Sequence, residues 1–155
     1  MGKSCGPVWV IAEQIDCRIL AVSFQLINHG RKLAAALDTS VEAILLGHKM
    51  EEHPRQLFAA GGDRVYLGND PELAVYEPEI YVEIIEKLAK EKKPEIILIG
   101  STSMGRELGP LIAARLEAGL TAHCIDLAID SNKILESRIP AYGGLLSIIS
   151  VSYTH

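Results

Sequence analysis

The chain lacks a basic excess. Its 155 residues carry 15 Lys and Arg against 20 Asp and Glu, a formal net charge of −5, and the basic side chains are scattered among acidic ones. Nucleic-acid partners call for clustered Lys and Arg to meet phosphates, so that class is excluded. Cysteines are few: Cys5, Cys17 and Cys124 are odd in number and show no C-x-x-C spacing. That pattern gives no zinc site and fits a reducing compartment. No apolar run approaches the ~18 residues of a membrane span; Leu145–Val151 is interrupted by Ser147 and Ser150. No long apolar stretch follows Met1–Pro7, so no signal peptide is read. Aromatic residues make up only 5% of an otherwise ordinary soluble α/β composition. The expectation is one cytoplasmic domain over residues 1–155, without membrane insertion and large enough to bury a core without staples.

Catalytic signatures are missing too. There is no H-E-x-x-H, no G-x-S-x-G and no paired-carboxylate pattern. His29, His48, His53, His123 and His155 show no metal-binding spacing. Cys124 beside His123 is not read as a nucleophile pair, because adjacent strand residues point to opposite faces. No catalytic residue and no metal site is therefore expected.

What is present is an alternation of strand and helix signals. Val8–Ala12 reads as a buried strand. Ser23–Leu37 has helical spacing at Leu26, Ile27, Leu33, Ala34 and Leu37, with Ser23 as N-cap. Gly30 inside it costs about 1 kcal/mol relative to Ala, which implies close packing there. Val41–Leu46 is a second strand, Pro54–Ala60 a short helix, Gly61–Asp63 a turn and Arg64–Leu67 a third strand. Glu77–Lys92 is a helix with Ile80, Ile84, Ile85, Leu88 and Ala89 on its apolar face. Glu95–Ile99 is a fourth strand, Gly100–Gly105 a small-residue loop and Arg106–Leu116 a helix. Ile125–Ile129, Lys133–Ile139 and Leu145–Val151 make the last third strand-rich. This predicts an α/β fold: a Rossmann-like three-layer α/β/α sandwich with a mostly parallel sheet, its tail adding antiparallel or edge strands.

The stretch of chemical interest is Gly100-Ser101-Thr102-Ser103-Met104-Gly105-Arg106. It follows a parallel strand, where open α/β sheets bind ligands and helix N-termini hold anions. Arg106 and Glu107 stand where a P-loop needs Lys and Ser/Thr. Two readings compete: a ligand loop, or a tight turn whose hydroxyls cap the next helix. Arg138 with Pro140, Tyr142, Gly143 and Gly144 forms a second set that could place an aromatic ring on a planar ligand or partner, or could be a plain turn.

These residues also carry a resemblance. GSTSMGRELGPLIAARLEAGLTAHCIDLAI followed by RIPAYGG, with the opening VWVIAEQ and DRVYLGNDPELAVY, is similar to the N-terminal domain of electron transfer flavoprotein α subunits from about Val8 to the end. The resemblance implies a fold of the adenine nucleotide α-hydrolase-like type. It implies pairing with a β subunit, and electron passage from dehydrogenases to an acceptor through FAD. In the family, FAD is held mainly by a C-terminal domain absent from this chain, so no cofactor is expected on the chain alone. Carried over residue by residue, the implied contacts are Gly100, Ser101, Thr102, Gly105, Arg106, Arg138, Tyr142, Gly143 and Gly144. Two departures stand out: Ile139 separates Arg138 from Pro140, and Leu145 replaces the usual Asn. The apolar tail Leu135–Val151 is expected to leave an unpaired sheet edge, with a homodimer as one way to cover it. The alternative is a free-standing adenine-nucleotide-binding protein of universal-stress type, whose long Gly-spaced loop this sequence lacks.

Overall fold

The computed structural model describes residues 5–124, 126–129, 131–132, 135–138 and 146–150. In chain order the elements are β1 (Val8–Ile11), β2 (Gln14–Ile15), β3 (Arg18–Ile19), α1 (Ala21–Leu37), β4 (Val41–Gly47), α2 (Pro54–Ala60) and β5 (Arg64–Asn69). A 3-10 turn at Pro71–Leu73 precedes α3 (Pro78–Lys92), β6 (Ile96–Gly100), α4 (Ser103–Leu116), β7 (Gly119–Cys124), β8 (Asp126–Ile129), β9 (Leu135–Arg138) and β10 (Leu146–Ser150).

Six strands form the central sheet in the order β5-β4-β1-β6-β10-β7. The first four run parallel, and β10 is antiparallel to both β6 and β7. Alternation along β1 divides the core between two faces. Val8 and Val10 pack with Leu26, Ile27 and Leu33 of α1, while Trp9 and Ile11 pack with Val82 and Ile85 of α3 and Leu108 and Ile112 of α4. Because β1, β4 and β6 are covered on both faces, they read as continuous apolar runs rather than alternating ones. The result is the three-layer α/β/α sandwich expected from the strand–helix alternation.

Local chemistry refines the sequence boundaries. Gly30 is buried in α1, and a Cβ there would stand 2.9 Å from Val41 Cγ2 and 3.4 Å from Val10 Cγ2; the close packing implied by that glycine is present. Ser23 is not the N-cap. Leu20 holds that position without a side-chain bond, and the buried Ser23 hydroxyl accepts from the Glu13 N–H at 2.8 Å and donates to the Glu13 carbonyl at 3.2 Å. The buried face of α3 is centred on Tyr81, Val82, Ile85 and Ala89, with Ile80, Ile84 and Leu88 at its half-buried margin. Tyr81 turns inward because its hydroxyl donates to the Leu73 carbonyl at 3.2 Å.

The tail adds an antiparallel strand to the sheet, as expected, but the unpaired edge expected there is corrected for β10. β10 lies inside the sheet, bonded on both sides, so it presents no free edge; the outer strands of this sheet are β5 and β7. β8 and β9 form a separate antiparallel hairpin, and Ile129 packs against the α1 side of the core. The β2–β3 hairpin and β7 were not read from the sequence, since two-residue strands and the Gly119 start leave little periodic signal.

One rung across the sheet carries a polar network. Trp9, Glu42 and Arg64 are register partners on β1, β4 and β5. Glu42 Oε1 accepts from Trp9 Nε1 and from the Tyr66 hydroxyl, each at 3.1 Å. Glu42→Ala leaves the fully buried Trp9 N–H without its acceptor, so urea unfolding is expected to show a loss of about 2–3 kcal/mol. Glu42→Gln keeps an acceptor and is expected to lose less than half of that. An Ala variant as stable as the parent would contradict the network's role.

Candidate functional site

The chain leaves β1 toward β4 on one side and leaves β6 toward β10 and β7 on the other, so the carboxyl ends of β1 and β6 flank a topological switch point. Open α/β sheets have their ligand crevice there. A cleft of about 390 Å³ opens at this place, lined by Glu13, Gln14, Ile15, Leu20, Tyr76, Thr102, Ser103 and Met104. Its volume lies within the usual range of small-ligand sites.

The Gly100–Arg106 stretch is tighter than its sequence suggests. The helix begins at Ser103, three residues before the predicted start, and Thr102 is its N-cap. The Thr102 hydroxyl accepts from the Gly105 N–H at 3.0 Å and donates to Glu13 Oε1 at 2.7 Å. The Thr102 carbonyl accepts from the Arg106 N–H at 2.9 Å. Gly105 therefore belongs to the first turn of α4. A Cβ on it would lie 1.8 Å from the Gly100 carbonyl oxygen, so close packing of α4 on the end of β6 accounts for this glycine. At Gly100 a Cβ would approach Val22 Cγ2 to 2.7 Å and Glu13 Oε1 to 3.4 Å. The capping role open to these hydroxyls is thus filled by Thr102. The Ser101 Oγ is buried without a hydrogen-bond partner among the described residues.

Glu13, absent from the sequence-based set, is central to the crevice. It is 3% exposed, just past β1, with its backbone fixed by Ser23 and by the Leu20 N–H donating to its carbonyl at 2.9 Å. Its carboxylate faces the N-terminus of α4, where a helix favours negative charge. Burial raises the Glu13 pKa, and the Thr102 hydrogen bond only partly opposes this. The signal in the sequence was a lone acidic residue following the five apolar ones of Val8–Ala12; its meaning depends on β6 lying beside β1.

Tyr76 completes the wall. Its ring meets Tyr81 edge-on at 5.0 Å between centroids, and its hydroxyl is buried with no hydrogen-bond partner among the described residues. Burial first, and then the nearby Glu107 carboxylate, push its pKa well above the usual tyrosine value. Gln14 is already committed: its Nε2 donates to the Leu46 carbonyl at 3.4 Å and its Oε1 accepts from the Cys17 N–H at 3.2 Å.

Of the sequence-predicted residues, Gly100, Ser101, Thr102, Gly105 and Arg106 gather at this end of the sheet, with Arg106 exposed. Arg138 lies in β9, away from the central sheet's ladder; Tyr142, Gly143 and Gly144 lie outside the described residues. No cluster of three or more metal-ligating side chains occurs among the described residues, and no helix among them is long and apolar enough to cross a membrane.

Two outcomes follow from this geometry. Gly105→Ala drives a methyl group into backbone and is expected to cost about 3 kcal/mol, the upper end for overpacking; unchanged chemical unfolding would contradict the packing reading. Glu13→Gln removes a buried charge. The folded-state pKa of Glu13 is raised, so its contribution is most favourable below the unfolded carboxyl pKa and is lost as pH rises through the folded value. The Gln variant is therefore expected to melt about 2 °C or more above the parent at neutral pH, the gap closing near pH 4. A constant gap across pH would refute the assignment.

Comparison with known proteins agrees with the fold. Residues 8–154 match the model of the electron transfer flavoprotein domain. The chain is 43% identical over 139 residues to the electron transfer flavoprotein subunit alpha of Thermoanaerobacterium thermosaccharolyticum, covering 90% of this chain and 42% of that protein. It is 42% identical over 149 residues to the corresponding subunit of Clostridium acetobutylicum, covering 96% and 44%. It is 43% identical over 134 residues to the acryloyl-CoA reductase electron transfer subunit beta of Anaerotignum propionicum, covering 86% and 36%. The chain thus spans less than half the length of these relatives. On the strength of the match along nearly its whole length, the chain belongs to the electron transfer flavoprotein family and resembles the N-terminal domain of its α subunits.

Proposed function

We propose that this chain is the scaffold and subunit-interface part of an electron transfer flavoprotein α subunit. In the assembled protein it pairs with a β subunit, and the heterodimer carries electrons from dehydrogenases to an acceptor through FAD. The chain itself acts as part of an electron carrier and not as a catalyst, and the flavin is held outside it. The carrying observation is the occupation of the switch-point crevice. A phosphate group entering there would meet the buried Glu13 carboxylate, which already accepts from the capping Thr102 hydroxyl. Like charges in a low-dielectric crevice repel strongly, which disfavours a nucleotide phosphate at this helix end and with it the free-standing nucleotide-binding reading.

Arg106, exposed beside the crevice, and the Arg138 and Tyr142–Gly144 set are then assigned to the surface that meets the rest of the assembly. Gel filtration of the purified chain with added FAD tests the reading. The protein peak is expected to show no flavin absorbance, and co-expression with an electron transfer flavoprotein β subunit is expected to give a co-eluting pair. Stoichiometric FAD on the chain alone, or failure to pair with any β subunit, would overturn it.

A further inference from the structure

The same crevice has a chemical demand that the subunit role leaves unexplained. Glu13 is 3% exposed, yet Thr102 is the only group among the described residues that hydrogen-bonds its carboxylate. No described Lys, Arg or His forms an ion pair with it. Buried carboxylates are ordinarily paired with a cation or tied by several hydrogen bonds. On the same cleft, the Tyr76 hydroxyl is buried with no partner of full hydrogen-bond geometry among the described residues, and the Glu107 carboxylate is close enough to help raise its pKa. Ile15, Leu20 and Met104 supply an apolar stretch of the wall, and Ile15 is 60% exposed at its edge.

We propose that the cleft between the ends of β1 and β6 binds a cationic nitrogen group, guanidinium or primary ammonium, carried on an alkyl stem. The head donates to Glu13 Oε2 and to the Tyr76 hydroxyl oxygen, while the stem lies along Ile15, Leu20 and Met104. The N-terminus of α4 opposes a cation, but its effect is equivalent to about half a positive charge against the two carboxylates of Glu13 and Glu107. Its polar groups are also engaged at the other side of the site, with the Gly105 N–H donating to Thr102 Oγ1 and Thr102 Oγ1 donating to Glu13 Oε1. Anions find no such balance. The cleft, at about 390 Å³, has room for such a head and stem. The cation has two possible sources, a free small amine or an Arg or Lys side chain of another polypeptide, and both satisfy the same groups.

The test is a titration of the isotopically labelled chain with agmatine, with the blocked tripeptide acetyl-Gly-Arg-Gly-amide, and with AMP and inorganic phosphate for comparison. The amide signals of Thr102, Ser103 and Met104 are followed. Saturable shifts are expected with agmatine or the tripeptide: agmatine alone identifies a small-ligand site, and tripeptide binding identifies a partner's side chain. Glu13→Gln is expected to weaken binding about tenfold or more, as loss of a charged hydrogen-bond acceptor does. Glu107→Gln, at an exposed position that leaves the fold intact, is expected to weaken it about two- to threefold. Absence of saturable shifts with both cations would overturn the proposal, as would equal binding of AMP at the same amides. So would affinity unchanged in both Glu107→Gln and Tyr76→Phe.

Discussion

The hydrogen bond from Thr102 to Glu13, 2.7 Å long, joins the ends of the two parallel strands between which the winding of the chain changes direction. Everything at this end of the molecule depends on it. Thr102 closes the first turn of α4, and Glu13 supplies negative charge at that helix end from within the chain. Ser23 and Leu20 hold the Glu13 backbone, so α1 is tied to the same point. Three elements thus converge on one buried carboxylate. The arrangement costs desolvation, visible in the raised pKa of Glu13, and a group kept buried at such cost in a cleft is characteristic of a functional position.

The rest of the fold serves to place that point. β1 and β6 sit at the centre of the sheet with apolar side chains on both faces, so their ends are the least able to move. The Trp9–Glu42–Tyr66 network fixes the register of β1, β4 and β5 by polar contacts inside an apolar layer. Gly105 lets α4 lie against the end of β6 closely enough for Thr102 to reach Glu13. A small-residue loop that reads as ligand-binding is in this chain a packing device first. The polar groups that line the cleft beside it sit on the neighbouring strand end and on Tyr76.

Much of this architecture was legible in the residues. The apolar runs at Val8, Val41 and Ile96 and the amphipathic segments between them specify parallel strands with crossover helices, and Gly30 announced its close contact. What escaped was set at long range. Glu13 carries only a weak local signal, because a single carboxylate after a buried strand acquires a role only when β6 pairs beside it. Ser23 was read as a cap from its position in the sequence, whereas its partner is a backbone group of another element. The buried face of α3 turned toward Tyr81 because that hydroxyl finds the Leu73 carbonyl. The tail was expected to add antiparallel or edge strands; β10 is antiparallel, but its insertion between β6 and β7 depends on a return of the chain that no local pattern encodes.

The account's central claim is that Glu13 is a buried carboxylate held by Thr102 at the N-terminus of α4. The most direct measurement is the pH titration of the Glu13 side-chain carboxyl carbon by NMR, in the parent and in Thr102→Val. The account predicts a midpoint above the ordinary glutamate value in the parent, rising further in Thr102→Val because the one hydrogen bond that lowers it is removed. An ordinary midpoint, unmoved by loss of the Thr102 hydroxyl, would contradict it.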